Sequence, residues 1–305
     1  MTNTNNVYTG KDIREKYKKE LKLFGLPTGT KLDEMFYEVD DNGNIRILNG
    51  IPSLSVMNLV GKPDTGKSVL AQQFAIMQIA EGRSVLFVTS ENPARHTYNA
   101  LIKKAKAMDV DTDKVDELLY IIDITTDWEL REEINKLIET MKYAYNKAKE
   151  DNKPIRITVI DSITGLYEAK EFAARSIARR LYNLLKQYYQ TSLVISQKRS
   201  SQESDSAEAA GGYAVSHIFD GTIVFDKKVI SSKFDISLYG LELGEVLRLI
   251  RIDGCRLCGH ETKTYVFEIT EKGLIDIKEP LSDFVKKRRF KFEWRSSYRF
   301  IFKRL

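Results

Sequence analysis

The sequence predicts an α/β fold in which helices flank a mostly parallel central sheet and antiparallel strands extend that sheet at its C-terminal end. The first observation is that short runs of β-type apolar residues alternate with helical patterns between Val56 and Ser196. Strands of this kind are usually parallel and buried on both faces. The second is that, from about Thr222 onward, strand patterns follow one another without helices between them. Such consecutive strands favour antiparallel pairing within the same sheet.

The elements begin with an amphipathic helix over residues 11–24, in which Ile13, Tyr17, Leu21 and Phe24 share one side. Gly25 and Pro27 end it. The alternating region then predicts, in order, strand Val56–Val60, a helix from Lys67 to a stop at Gly82, strand Ser84–Thr89, helix Ala94–Lys106, strand Leu119–Ile122, helix Glu129–Lys149, strand Ile155–Ile160, helix Ala169–Tyr189 and strand Leu193–Ser196. The last region predicts strands Thr222–Phe225, Glu245–Ile252 and Lys263–Ile269, followed by a turn at Thr270–Gly273.

Composition excludes several classes of protein. The 305 residues are 42% apolar and carry 48 Lys plus Arg against 43 Asp plus Glu, so the net charge is +5. This profile is that of a globular protein, and it excludes a disordered chain or a disulfide-stapled miniprotein. No stretch approaches the roughly 20 apolar residues of a membrane helix, and the polar start lacks the apolar stretch of a secretory signal. We therefore expect a cytoplasmic protein without a membrane association.

The most informative segment is a match to the pattern G-x-x-x-x-G-K-[ST]. It consists of Gly61, Lys62, Pro63, Asp64, Thr65, Gly66, Lys67 and Ser68. A predicted strand precedes it and a predicted helix follows it, which is the context that a phosphate-binding loop requires. Backbone N–H groups of such a loop, with the positive end of the helix, point at a phosphate. Lys67 would reach the β- and γ-phosphates, and the Ser68 hydroxyl would bind Mg²⁺. A chance glycine-rich turn is the alternative.

Polar residues that follow three other strands complete the predicted site. Asp161 ends an apolar strand and is predicted to hold Mg²⁺ through a bound water, the alternative being a cap on the next turn. Glu91 follows another strand and is the candidate general base, unless it is a plain solvent-facing residue. Gln197 ends a third strand and could sense the state of the nucleotide, although a simple turn residue explains it nearly as well. Together these residues predict ATP and Mg²⁺ as cofactors and ATP hydrolysis as the activity.

The four strand ends, in this order, resemble the RecA superfamily of ATPases, and in particular its KaiC-like and RadA-paralogue branch, which is common in archaea. The segments that carry the resemblance begin with FGLPTGTKLDEM at residues 24–35 and continue with Gly50-Ile-Pro-Ser, the phosphate loop, Val88-Thr-Ser-Glu91, Val159-Ile-Asp161-Ser162, GGYAVSHIFD at residues 211–220 and Phe267-Glu-Ile-Thr-Glu-Lys-Gly273. The resemblance implies a RecA-like core and a homo-oligomer, either a ring or a filament, with nucleotide held between subunits. It divides the chain into an N-terminal extension (1–23), an ATPase domain (24–281) and a basic, aromatic tail (282–305).

The chain departs from the family pattern at two places. KaiC domains usually place two acids after the second strand, whereas here Glu91 is followed by Asn92. Where the family tends to have K-x-R-G, this chain has Arg251-Ile-Asp253-Gly254. Arg251 could still supply a cation to the neighbour's γ-phosphate, and Arg256 is a substitute candidate. An ordinary solvated strand edge explains both arginines as well.

Three further segments leave their interpretations open. Cys255, Cys258 and His260 imitate half of a zinc knuckle, but a β-hairpin loop near a subunit interface is the preferred interpretation, with a reactive thiol pair as another. Residues 198–212 have no apolar periodicity and could contact DNA through Lys198 and Arg199. Residues 282–305 carry nine Lys or Arg against two acids, and aromatic residues alternate along them. Single-stranded nucleic acid, a neighbouring subunit and solvent are equally reasonable partners for this tail.

The resemblance gives two hypotheses for the process that the ATP cycle drives. The leading one is a DNA-associated accessory protein of recombination or repair, for which single-stranded DNA would be a partner. The competing one is a KaiC-like signalling or scaffold ATPase whose nucleotide state controls its oligomerisation and its partners, with autokinase activity as an option.

Overall fold

A computed structural model describes residues 7–18, 22–40, 42–167, 173–197 and 217–288. The predictions for residues 198–212, for Gly211 and Gly212, and for the tail beyond residue 288 lie outside the described residues.

The described residues form fourteen strands and, besides the eight α-helices named below, a helical stretch at residues 281–288. The strands are β1 (Gly25–Leu26), β2 (Phe36–Val39), β3 (Ile45–Ile47), β4 (Ile51–Pro52), β5 (Val56–Gly61), β6 (Ser84–Thr89), β7 (Leu119–Asp123), β8 (Ile155–Asp161), β9 (Thr191–Gln197), β10 (Gly221–Val229), β11 (Val246–Cys255), β12 (Gly259–His260), β13 (Tyr265–Ile269) and β14 (Ile275–Pro280). The helices are α1 (Gly10–Lys16), α2 (Lys67–Ala80), α3 (Ala94–Ala107), α4 (Thr112–Leu118), α5 (Trp128–Glu132), α6 (Ile134–Glu150), α7 (Ala174–Gln187) and α8 (Lys233–Tyr239).

A nine-stranded sheet organises the molecule, with the strand order β14-β13-β11-β10-β5-β9-β8-β6-β7. The six strands from β10 to β7 in this order are mutually parallel, whereas β11, β13 and β14 pair antiparallel beyond β10. This arrangement confirms the predicted α/β fold with an antiparallel C-terminal extension.

Helices cover both faces of this sheet because the inner strands are apolar on both sides. Leu70 and Phe74 of α2 belong to one buried cluster, together with Leu59 of β5. Leu137 of α6 and Leu181 of α7 belong to a second cluster on the other face. Because β5, β6, β8 and β9 are parallel, their carboxyl ends lie on the same side of the molecule, where ligands bind in folds of this kind.

Several elements differ from the predictions. The region after Thr222 does contain a helix, because α8 lies between β10 and β11, with the Ser232 side chain accepting from the Asp235 N–H at its start and Gly240 in the left-handed conformation at its end. The predicted helix Glu129–Lys149 is two helices, α5 and α6, that break at Glu133. Nε of Arg131 in α5 donates to the Gly165 carbonyl at 3.1 Å, which fixes the direction of that short helix separately from α6. The N-terminal helix ends at Lys16 and buries no residue.

A second, three-stranded sheet with the order β12-β2-β3 was not predicted. It pairs Phe36 and Tyr37 with His260 and Gly259, so it joins the start of the chain to the turn after β11. Within the described ranges, none of the helices is long and apolar enough to span a bilayer.

Candidate nucleotide-binding site

The loop Gly61–Ser68 connects β5 to α2, as the motif predicts. Gly61 is required there because a Cβ would lie 2.3 Å from the Phe225 carbonyl oxygen of β10. Gly66 has a φ of +104° at the start of α2 and has no side chain that could cap the helix. The first N–H groups of α2 are therefore directed into the loop, where they and the helix dipole favour an anion.

Lys67 lies inside the loop with an exposed fraction of only 5%. Its Nζ donates to the Gly61 carbonyl at 2.9 Å and to the Lys62 carbonyl at 2.7 Å. Burial lowers the pKa of Lys67 to about 8, although the nearby charges of Glu91 and Asp161 favour the protonated form. A phosphate group offers the ammonium a charged acceptor in place of neutral carbonyls, which makes for a stronger hydrogen bond.

Asp161, the last residue of β8, lies directly behind the loop. It is 4% exposed, its side chain is hydrogen-bonded to Ser68, and its Oδ1 has no hydrogen-bond partner. Burial, followed by the charge of Glu91, raises the pKa of Asp161 to about 7. A buried carboxylate oxygen without a partner is costly unless a cation or a donor is added. The hydroxyl of Ser68 and the carboxylate of Asp161 are hard oxygen ligands, so these residues fit Mg²⁺.

Glu91 and Gln197 meet across the mouth of the same site. The Gln197 amide Nε2 donates to Oε1 of Glu91, and the Gln197 backbone N–H donates to Oγ1 of Thr164 at 2.9 Å. Both side chains line a cleft of about 220 Å³ together with Lys67 and Ser68. The structure thus brings together the lysine, the candidate metal ligands, the candidate base and the candidate sensor, which the sequence places at four different strand ends.

Comparison with known proteins identifies the family. A family model described as "ATPase: KaiC" matches residues 26–282.

The chain belongs to the KaiC-like ATPase family.

Relatives of this KaiC-like chain occur in archaea and in bacteria. The UPF0273 protein of Pyrococcus furiosus is 30% identical over 242 residues, which cover 74% of this chain and 87% of the relative. The UPF0273 protein of Thermotoga maritima is 28% identical over 239 residues, covering 74% and 88%. The DNA repair and recombination protein RadA of Methanoculleus marisnigri is 25% identical over 237 residues, covering 71% and 68%. These similarities confirm the RecA-superfamily assignment and its KaiC-like and RadA-paralogue branch.

The two arginines that the sequence analysis predicts to act on a neighbouring subunit are in different situations. Arg251 pairs with Asp253 at 3.2 Å within β11. Arg256 is exposed, and its Nη2 donates to the His217 carbonyl at 2.6 Å. Cys255 is in register with Gly221, and Gly221 with Met57, four residues before Gly61 on β5. At about 3.3 Å per residue, the turn that carries Arg256 is therefore displaced by roughly 13 Å along the strands from the phosphate loop, and it lies at the opposite end of the parallel strands.

The cysteine and histidine segment does not assemble a metal site. No group of three or more His, Cys, Asp or Glu side chains in the described part of the chain is placed to hold a metal ion. Instead the Sγ atoms of Cys255 and Cys258 lie 3.6 Å apart in the turn between β11 and β12, and the Nδ1 of His260 is 3.0 Å from the Glu261 carbonyl. The segment lies in the connection between the antiparallel strands β11 and β13, which agrees with the predicted hairpin loop, except that β12 within this connection pairs with β2.

Two charged residues that the sequence analysis did not select form contacts at the two ends of the parallel strands. Lys227 of β10 forms an ion pair with Asp64 of the phosphate loop at 3.9 Å. Asp220, cited in the sequence only as part of a motif, is 4% exposed at the opposite end and accepts hydrogen bonds from Tyr182, Lys186 and the Val56 N–H. Lys227 follows the predicted strand Thr222–Phe225, and no local pattern relates it to Asp64, which lies far earlier in the sequence.

Proposed function

We propose that this KaiC-like ATPase binds MgATP at Gly61–Ser68 and hydrolyses the bond to the γ-phosphate. The observation that carries the proposal is the buried Asp161 with its unpartnered oxygen beside Ser68 and behind Lys67. Ser68 and Asp161 would hold Mg²⁺, which when bound neutralises charge that develops on the phosphate oxygens. This arrangement of hydroxyl, carboxylate and ammonium is the one that phosphoryl transfer requires.

The chain's own groups have separate roles in this reaction. The α2 N–H groups and Lys67 bind the phosphates and stabilise negative charge. Glu91 takes a proton from the attacking water. Gln197 orients Glu91 through their hydrogen bond, and it also begins the segment that follows β9. Gln197 would therefore transmit the state of the nucleotide to that segment.

Substitution of Lys67 tests the phosphate site. Lys67→Ala is expected to weaken ATP binding by at least about 100-fold, because a charged hydrogen bond donor inside the loop is removed. Isothermal titration calorimetry with MgATP measures this change. Lys103→Ala, at an exposed position of α3, is the matched control and should bind ATP as the unmodified protein does. An unchanged ATP affinity of Lys67→Ala would show that the nucleotide binds elsewhere.

We further propose that the active form is a homo-oligomer with the nucleotide between subunits, and that Arg256 reaches the neighbour's phosphates. The support is geometric, because Arg256 is exposed and lies at the end of the parallel strands opposite to its own phosphate loop. Arg251 is the weaker candidate because Asp253 already neutralises it within the same strand.

For the process that ATP drives, we propose association with single-stranded DNA. The RadA relative, named for DNA repair and recombination, supports this proposal because the similarity to it covers 71% of this chain. Binding to single-stranded DNA should weaken with salt and should stimulate ATP turnover. Fluorescence anisotropy of a labelled oligonucleotide, with turnover measured in parallel, tests both expectations.

The competing proposal, a signalling or scaffold ATPase, is supported by the KaiC family match itself. It predicts tight nucleotide binding and slow turnover that DNA does not change. Incubation with γ-labelled ATP, followed by denaturing electrophoresis, distinguishes the autokinase option, since only a phosphorylated chain retains the label.

A further inference from the structure

The turn between β11 and β12 holds two thiols that face each other. Cys255 is the last residue of β11 and Cys258 immediately precedes β12, and their Sγ atoms are 3.6 Å apart. A disulfide requires about 2.05 Å between the sulfur atoms, so the pair has to close by roughly 1.5 Å. The chain contains only these two cysteines, so no other thiol of the same chain competes for either partner.

The two thiols differ electrostatically. A hydrogen bond joins the two sulfur atoms, and the backbone N–H groups of Leu257 and Cys258 also bond to the sulfur of Cys255, so the pKa of Cys255 falls to about 6 despite partial burial. The same interaction raises the pKa of Cys258. A thiolate that is accessible near neutral pH is the form that attacks disulfides, and the neighbouring thiol is placed to resolve the product.

A small reagent has access to Cys255. Cys255 lines a cavity of about 350 Å³, and Arg256, His217 and His260 contribute to the same walls. The cavity lies at the end of the parallel strands opposite to the phosphate loop. It is therefore separate from the nucleotide cleft of the same chain.

We propose that Cys255 and Cys258 form a reversible dithiol–disulfide site that reacts with low-molecular-weight disulfides. The sulfur of Cys255 attacks one sulfur of the reagent RS–SR, the S–S bond of the reagent breaks, and one RS⁻ leaves and takes up a proton. The Cys258 thiol then loses its proton and attacks the mixed disulfide at the Cys255 sulfur, which releases a second RSH. The protein loses two electrons and two protons, and one reagent disulfide becomes two thiols.

Disulfide formation changes the surroundings of Arg256, which lies between the two cysteines. The Arg256 N–H donates to the Asp220 carbonyl at 2.7 Å, and its side chain donates to the His217 carbonyl at 2.6 Å. Movement of the turn by about an ångström exceeds the tolerance of such bonds. If Arg256 acts on a neighbour's phosphates, as the proposed function requires, then oxidation lowers ATP turnover.

The thiol chemistry is tested on the full chain with bis(2-hydroxyethyl) disulfide as the reagent. We expect the treated protein to lose two hydrogens in mass, to resist alkylation by a maleimide-polyethylene glycol, and to recover both reactive thiols with dithiothreitol. Cys255→Ser and Cys258→Ser should each stop at a mixed disulfide or stay unreacted. Three outcomes for the treated protein without substitutions would overturn the proposal: it keeps two alkylatable thiols, it accumulates a stable mixed disulfide, or it forms a disulfide between two chains.

The effect on Arg256 is tested by ATP turnover before and after oxidation. We expect turnover to fall about fivefold in the oxidised protein, the lower end of common coupling effects, and to recover on reduction. The double variant Cys255→Ser/Cys258→Ser should not respond to the reagent. If the disulfide forms and turnover does not change, the link to Arg256 is wrong. If the reduced protein shows no turnover at all, the proposed ATPase activity is contradicted, and the mass measurement alone decides the thiol chemistry.

Discussion

The charged groups of Lys67, Asp161 and Glu91 interact with one another, and burial shifts the pKa values of the first two. Lys67 and Asp161 are both nearly inaccessible, and Glu91 interacts with each of them. Burial disfavours the charged form of both buried groups, so the pKa of Lys67 falls to about 8 while the pKa of Asp161 rises to about 7. The protein therefore holds this candidate metal ligand, Asp161, at a cost in stability, which Mg²⁺ binding would offset.

This cost predicts that Asp161→Asn stabilises the fold while it removes function. Since the pKa of Asp161 lies above its ordinary value of 3.8, the folded chain binds an extra proton between pH 4 and 7, and its stability falls as the pH rises through that window. Asp161→Asn should raise the free energy of unfolding at pH 8 by about 2 to 4 kcal/mol, with little change at pH 4. Mg²⁺-dependent turnover should be lost. Urea unfolding at both pH values measures the first effect, with the exposed Asp151→Asn as the control.

Equal or lower stability of Asp161→Asn at pH 8 would show that the carboxylate is compensated within the protein. In that case Oδ1 of Asp161 would not require a cation, and the argument for a metal ligand at this position would fail.

Glu91 is expected to act on the reaction and not on binding. Glu91→Gln keeps the size of the side chain and its contact with Gln197 but cannot accept a proton from water. Turnover should fall by about 100-fold or more, while ATP affinity changes by less than about threefold. A coupled ATPase assay and calorimetry separate the two quantities, and Glu81→Gln on the exposed start of the α2–β6 turn serves as the control. Unaltered turnover would assign the base to another residue.

At the scale of the elements, Asp220 connects parts of the chain that are distant in sequence. Its carboxylate accepts from the Val56 N–H at 2.8 Å, from Tyr182 of α7 at 2.8 Å and from Lys186 of α7 at 2.9 Å. Its carbonyl accepts from Arg256 after β11. One buried carboxylate therefore joins α7 and the start of β10 to the amino end of β5, the strand that leads to the phosphate loop.

Asp220→Asn is predicted to destabilise the fold, in contrast to Asp161→Asn. The amide leaves the partly buried ammonium of Lys186 without its counter-charge, and a loss of about 2 to 4 kcal/mol in the free energy of unfolding is expected at pH 7. Urea unfolding measures the loss against the same Asp151→Asn control. If Asp220→Asn unfolds at the same urea concentration as the control, the network is not a source of stability.

The sequence allowed the phosphate loop and the inner strands to be predicted because each depends on a local pattern. Gly61, Gly66 and Lys67 lie within one octapeptide, and Asp161 directly follows an apolar run. Helix α8 was missed because its seven residues carry too short a periodicity to outweigh the flanking strand patterns. The sheet β12-β2-β3 could not be predicted, since it pairs residues 36–37 with residues 259–260. The ion pair of Lys227 with Asp64 is non-local in the same way.

At the scale of the whole molecule, candidate functional groups lie at both ends of the parallel strands. The phosphate loop, Asp161, Glu91 and Gln197 lie at the carboxyl ends, whereas Arg256 and the thiol pair lie at the amino ends. A separation of roughly 13 Å along β5 prevents Arg256 from reaching the phosphate site of its own chain. A second copy placed head to tail would bring the amino ends of its strands to the carboxyl ends of the first copy's strands. Such heterologous contacts generate rings or filaments.

Mixing of two inactive variants tests this arrangement. Glu91→Gln lacks the base but keeps Arg256, and Arg256→Ala lacks the arginine but keeps the base, so each homo-oligomer should show little turnover. In an equal mixture that exchanges subunits, about one quarter of the interfaces combine an intact cleft with an intact neighbouring arginine, and turnover should recover to about a quarter of the unmodified level. Recovery requires that the arginine act between chains, because within one chain neither variant is complete. A size tag on one variant verifies that mixed oligomers form. If these mixed oligomers show no recovery of turnover, Arg256 acts within its own subunit or has no role in the reaction.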